Sequence, residues 1–133
     1  MTKENINKLL RDTALNASTR AHAPYSHFQI GSAVLMESGK IFSGCNVENA
    51  SYGATICAER VAVLKAISEG ETKIKKIYVY SRDGWPPCGL CRQVICEFAA
   101  DDLVVTIGDR EGNEKNIPFK DLFPASFTPD KLK

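Results

Sequence analysis

Cys57-Ala58-Glu59-Arg60-Val61-Ala62-Val63-Leu64-Lys65-Ala66-Ile67-Ser68-Glu69-Gly70 is the stretch on which the fold turns. It has the length of a helix, and Gly70 supplies the residue that closes one at the C-cap. Ala58, Val61, Ala62, Val63, Leu64, Ala66 and Ile67 leave hardly any polar side. A helix apolar on most sides is expected to be buried on most sides, so other layers must cover it. Yet Glu59 and Arg60 fall in its first turn, where burial makes ionisable groups costly unless they find partners. Such a conflict between levels is where function is expected.

Working outward, residues 29–36 and 41–46 read as antiparallel strands joined by the turn Glu37-Ser38-Gly39-Lys40, and residues 46–56 as an aperiodic loop. Upstream, Ile6, Leu9, Leu10, Thr13, Ala14 and Ala17 share one face of an amphipathic helix over residues 3–20, which Ala23-Pro24-Tyr25-Ser26 breaks. Downstream come a strand over 74–80, turns over 81–87, and a helix over 88–99 with Cys91, Val94, Ile95 and Phe98 on one face. Residues 103–107 form a short apolar strand, 109–113 a turn and 115–117 an edge strand. Pro118 suits the first position of a last short helix that reaches Phe123 and is stopped by Pro124. Helices interleaved with strands predict an α/β protein. The expected form is a three-layer α/β/α sandwich, a five-stranded mixed sheet with helices on both faces. No repeat or linker divides the chain, so residues 1–133 are expected to form one domain.

The bulk numbers narrow the classes. At 133 residues, 44% hydrophobic and 25% charged, with a net charge of +1, the chain has the balance of an ordinary globular protein. No dense basic run appears. Lys73-Ile74-Lys75-Lys76 reads as the solvated lead-in to a strand, so no nucleic-acid partner is expected. No apolar run approaches the ~20 residues of a membrane span. Met1-Thr2-Lys3-Glu4-Asn5 lacks the basic start and apolar stretch of a secretory signal, which leads us to expect a cytoplasmic protein. Five cysteines, two of them spaced C-x-x-C, favour metal ligation over a disulfide framework.

Cys57 with Cys88 and Cys91 of Pro87-Cys88-Gly89-Leu90-Cys91 offers three thiols to one metal. Three cysteines can hold Zn²⁺ and leave its fourth position open for water, and Glu59 is placed to move protons beside it. Each cysteine segment starts a helix, where free N–H groups and the dipole stabilise thiolates. Arg60 is suited to donate to a ligand sulfur and offset the excess negative charge. Positions i and i+2 diverge by about 200° on a regular helix, so Glu59 reaches the metal only if Cys57 lies at the very start. The alternative is a closed structural site completed by Cys45, Cys96, His22 or His27.

The C-x-E and P-C-x-x-C pair resembles the signature of the zinc-dependent nucleoside and nucleobase deaminases, whose three-cysteine variant uses a glutamate as acid–base. Ala23-Pro24-Tyr25-Ser26-His27-Phe28, Gly44-Cys45-Asn46-Val47-Glu48-Asn49-Ala50, Cys57-Ala58-Glu59-Arg60 and Pro87-Cys88-Gly89-Leu90-Cys91-Arg92-Gln93 are similar to the small tetrameric cytidine deaminases. The resemblance runs, with gaps, from about residue 20 to Phe127. It implies a homotetramer that deaminates cytidine and 2′-deoxycytidine with release of ammonia, in pyrimidine salvage. It makes Cys57, Cys88 and Cys91 the zinc ligands, Glu59 the proton shuttle and Arg60 the neutraliser of the thiolates. Asn46 and Glu48 would bind the ribose hydroxyls, with Val47 in the same nucleoside-facing loop. Phe28 would pack on the pyrimidine and the Ala58 backbone would bond the base edge. Tyr52 and Phe127 would approach a neighbouring subunit's site. The chain departs from the pattern at Gly53-Ala54-Thr55-Ile56 and in the short connection Arg82-Asp83-Gly84-Trp85-Pro86, both flanking the pocket. Two other readings stand beside this one: deamination of a modified aminopyrimidine nucleoside, as in blasticidin-type enzymes, and a zinc-stabilised binding module without catalysis.

Overall fold

The computed structural model describes residues 2–132. Thr2 caps the first helix by accepting from the Asn5 amide at 3.1 Å, and α1 runs Lys3–Ser18. A hairpin follows, β1 (Gly31–Met36) and β2 (Ile41–Cys45), then a 3₁₀ turn at Tyr52–Ala54 and α2 (Ala58–Ser68). The chain continues through β3 (Ile74–Tyr80), α3 (Gly89–Phe98), β4 (Ala99–Gly108) and β5 (Glu114–Pro118). It closes with α4 (Phe119–Leu122) and a 3₁₀ turn at Pro129–Leu132.

The strands form one sheet in the order β2-β1-β3-β4-β5. Only β3 and β4 run parallel, as the crossover through α3 requires, and the remaining pairs are antiparallel. The mixed five-stranded sheet is as expected, and so are the three layers. All six residues of β1 are buried, because this strand is covered on both faces. Ala33 and Leu35 pack with Leu10 and Ala14 of α1 and with Tyr78. Val34 and Met36 point the other way, into a cluster with Ala62 and Val63 of α2, Ile95 of α3, and Ile77, Val79 and Val105. Strand alternation thus divides one apolar run between two cores.

Gly44 sets the height of α2 over the sheet. A Cβ there would lie 2.6 Å from the Ala62 amide nitrogen and 2.7 Å from the Ala58 carbonyl oxygen. Any larger residue would lift the start of α2.

Several boundaries differ from the sequence reading, each for a local reason. The first strand begins at Gly31 rather than residue 29, because the Ile30 amide donates to Asn46 Oδ1 at 2.9 Å instead of joining the ladder. Glu69 is the C-cap of α2, and Gly70 follows it at φ +99, the left-handed position that favours glycine. Leu64 is exposed, so α2 is less enclosed than its composition suggests. β4 is longer than expected: residues 99–102 extend it across a register shift opposite Ile74–Lys76. Pro118 ends edge strand β5 and caps α4 rather than occupying its first turn.

Candidate active site

Cys57 is the N-cap of α2 and Cys88 the N-cap of α3, with Cys91 in the first turn of α3. The two helix starts converge. Cys57 Sγ lies 3.7 Å from Cys88 Sγ, and Cys88 Sγ lies 3.5 Å from Cys91 Sγ. All three sulfurs fall within 4.8 Å of one another. A tetrahedral zinc with Zn–S bonds of ~2.3 Å separates its sulfurs by ~3.8 Å, whereas a disulfide would bring two of them to ~2.05 Å. The cluster therefore fits zinc and not a crosslink. Among the described residues no fourth His, Cys, Asp or Glu joins it, so the closed site completed by Cys45, Cys96, His22 or His27 does not form. Cys96 instead donates to Ser126 Oγ at 3.4 Å.

The groups around the sulfurs favour negative charge there. Arg60 Nη2 donates to Cys57 Sγ at 3.6 Å. A hydrogen bond from Cys91, then the Arg60 guanidinium, draw the Cys57 thiol down to about 5 despite its partial burial. Cys91 moves the opposite way, pushed up by sharing with Cys57 and by its own burial. Metal ligation requires deprotonated sulfur, and the Arg60 guanidinium beside Cys57 favours that form, so the cluster suits a divalent cation.

Glu59 is the second residue of α2 and only 4% exposed. Because Cys57 precedes the helix as its cap, the i, i+2 pair meets across the helix end, and both residues line one cavity of about 280 Å³. Burial pushes the Glu59 carboxyl up to about 7.

The same cavity is lined by Phe28, Asn46, Glu48 and Cys88. Asn46 is nearly buried, and its amide bridges backbone on both sides: Nδ2 donates to the Phe28 carbonyl at 2.8 Å, and Oδ1 accepts from Ile30. Glu48 Oε1 accepts from the Tyr25 and Ser26 amides at 3.0 Å each, and Oε2 accepts from Ser26 Oγ. These bonds hold the Glu48 carboxyl below its ordinary value of 4.5, the Ser26 hydroxyl contributing most.

Not every expected residue comes to this cavity. Ala58 is fully buried and does not line it. Val47 is exposed, bridged through its backbone to His22 and Ile56. Tyr52 is 77% exposed and lines a shallow neighbouring depression with Tyr25 and Glu48. Phe127 is 55% exposed, and its carbonyl accepts from Gln93 Nε2 at 3.0 Å.

Other lining residues had no role in the sequence reading: Ser26, Ile30, Val79 and Ser81, while Thr55 and Pro86 belong to the segments expected to flank the pocket. Trp85 was known only to flank the pocket. It meets the Phe28 ring edge-on, with centroids 4.6 Å apart, and the Arg82 guanidinium lies 4.7 Å from the centre of the same ring. Its place directly before Pro-Pro-Cys, as the chain's only tryptophan, was the available signal. For Ser26 only its place in the Pro-Tyr-Ser-His-Phe motif pointed that way.

Three thiols and one buried carboxylate, on two helix starts of an α/β/α sandwich, define a zinc-dependent hydrolytic deaminase. The family "cytidine and deoxycytidylate deaminase zinc-binding region" matches residues 4–107, and the chain belongs to this family. It is 42% identical to the cytidine deaminase of Halalkalibacterium halodurans, over 94% of this chain and 96% of that one. A probable cytidine deaminase of Dictyostelium discoideum is 47% identical, over 99% of this chain and 90% of its own length. The crystal structure of cytidine deaminase from Burkholderia pseudomallei superposes with a TM-score of 0.87 at 38% identity, covering 96% of this chain and all of that one.

Proposed function

We propose that this chain catalyses the hydrolytic deamination of cytidine and 2′-deoxycytidine to the uridines, releasing ammonia, as a cytoplasmic homotetramer of single-domain subunits. The observation that carries the reading is one cavity lined at once by Cys57, Cys88, the buried Glu59, Asn46 and Glu48. A structural zinc site has no use for a buried carboxylate or for a cavity beside it that Asn46 and Glu48 line. Relatives named cytidine deaminase, alike over nearly their whole length, support the same substrate.

Cys57, Cys88 and Cys91 would hold the zinc, which when bound would supply the Lewis acidity that makes a water nucleophilic near neutral pH. Glu59 takes a proton from that water and delivers it to N3 of the pyrimidine, so that C4 becomes electrophilic. After addition at C4 the same carboxyl takes the remaining proton from the added hydroxyl and passes it to the exocyclic nitrogen; the C4 carbonyl forms as the C4–N bond breaks, ammonia leaves and N3 keeps its proton. One carboxyl serves twice only if its charged and neutral forms are close in energy, which burial of Glu59 arranges. Arg60 keeps the cluster from accumulating uncompensated charge. Phe28, steadied by Trp85, offers an aromatic face to the base, and the Ala58 backbone bonds the base edge. Asn46 and Glu48 receive the sugar hydroxyls, with Val47 between them.

Tyr52 and Phe127, exposed here, contact a neighbouring subunit in the tetramer. Among the described residues no helix is long and apolar enough to cross a membrane.

The test is zinc content measured alongside the ultraviolet change on incubation with cytidine. One zinc per chain together with uridine formation is the expected result. Bound zinc without uridine from either nucleoside would sink the reading.

A further inference from the structure

The loop of residues 24–28 combines backbone strain with a dense set of side-chain ties. His27 sits at φ +66, a left-handed conformation that most residues avoid. Its own amide reaches back to the Ala23 carbonyl at 3.0 Å, which closes a tight turn just before Phe28. Strain of this kind persists only where the surroundings over-determine it.

Those surroundings are the polar residues of the cavity. Glu48 receives the Tyr25 and Ser26 amides on one oxygen and the Ser26 hydroxyl on the other. Ser26 Oγ in turn accepts from the Phe28 amide at 3.1 Å. On the far side of Phe28, its carbonyl accepts from Asn46 Nδ2 at 2.8 Å. Both peptide groups of the base-facing aromatic therefore hang on side chains that line the same cavity, and Ser26 is the link between Phe28 and Glu48.

We propose that Ser26 is a positioning residue: its hydroxyl carries the hold of Glu48 to the Phe28 backbone, so that the sugar end and the aromatic wall of the cavity are set as one unit. The inference rests on the roles given to Phe28 and Glu48 in the proposed function. The chemistry of the position is narrow. The side chain must donate to a carboxylate and accept from an amide at the same time, which a small hydroxyl does and an alkyl group does not. Ser26→Ala leaves Glu48 its two amide partners but deprives the Phe28 amide of its acceptor. The loop then relaxes about His27 while Glu59 and the cysteines are untouched. Substrate binding should weaken and the chemical step should not.

Three measurements on the zinc-loaded full chain test this. In steady-state kinetics with cytidine, Ser26→Ala should raise KM about tenfold with kcat within about threefold, and Ser26→Thr should stay near wild type. In NMR exchange, which needs no turnover, the Phe28 amide should exchange about tenfold faster in Ser26→Ala and also in Glu48→Gln. Emission of Trp85, which abuts the Phe28 ring, should shift in the same two variants. Adding Ser26→Ala to Glu48→Gln should then change little, because the two substitutions cut one chain of bonds. Unaltered Phe28 exchange and Trp85 emission in Ser26→Ala would overturn the proposal, as would equal behaviour of the Ala and Thr variants, or fully additive effects. A wild-type protein that makes no uridine would refute the reaction reading alone, leaving the exchange and emission data to decide Ser26.

Discussion

Glu59 and Glu48 line one cavity, yet the fold treats the two carboxyls in opposite ways. Glu59 is sealed at the start of a helix, and burial raises its proton affinity to about 7. Glu48 is half-buried on a loop, where two amides and a hydroxyl hold it below its ordinary 4.5. The first carboxyl can gain and lose a proton near neutral pH, as a shuttle must. The second stays charged and serves as an acceptor. Residue type decides neither role; the number of donors and the access of water decide both. The supports differ too. Glu59 stands on α2, pressed against Gly44, whereas Glu48 hangs in a loop that it helps to shape.

The sharpest way to break this contrast is at the cysteine end. Cys88→Ala removes one of three ligands and should abolish both zinc binding and turnover, checked by metal analysis and uridine formation. Stoichiometric zinc in that variant would mean the cluster is not the metal site. Next in size, Glu59→Gln should keep zinc and substrate affinity and lower kcat by roughly 10²–10⁴-fold or more. If kcat hardly moved, the shuttle role would pass to another group. Glu48→Ala should act on the other parameter, raising KM for cytidine by about 10–100-fold with kcat changed by a few-fold at most. A loss confined to kcat would put Glu48 in the chemistry and erase the difference between the two carboxyls.

The smallest effect is a dependence on acid. The folded Glu48 carboxyl titrates below its free value, so its tie to the loop is fully present above 4.5 and is lost as the pH falls through the lower folded value. Trp85 emission should change in that window in the wild type and not in Glu48→Gln. A transition of equal size in both proteins would assign it to other carboxyls.

Much of the site was legible because it is local. Cys57-Ala58-Glu59 and Pro87-Cys88-Gly89-Leu90-Cys91 each combine a helix start with metal ligands, and short-range geometry alone requires Cys57 to precede the helix for Glu59 to reach the metal. The strands were likewise legible from their composition, although the burial of β1 on both faces is set by the layers packed against it. What escaped is non-local. Ile30 yields its strand position because its amide finds Asn46, a partner 16 positions away. Leu64 belongs to an apolar helix but faces outward, which composition cannot foretell. Ser26 lies within a recognisable motif and Trp85 beside one, but their parts depend on Glu48 and Phe28, residues that the sheet and its loops bring to them.

The amino-acid sequence by itself determined the chemistry: three thiols, one carboxylate and an arginine at spacings that suit zinc and proton transfer, on an α/β chain. Only the tertiary structure decided how that chemistry is tuned. It brought the Cys57 and Cys88 sulfurs of two helix starts to 3.7 Å, excluded a fourth protein ligand among the described residues, and buried one glutamate while bonding the other into a loop. Ligand identity is carried by residues, whereas proton affinity and alignment depend on what each residue is packed against, and packing joins segments far apart in the chain.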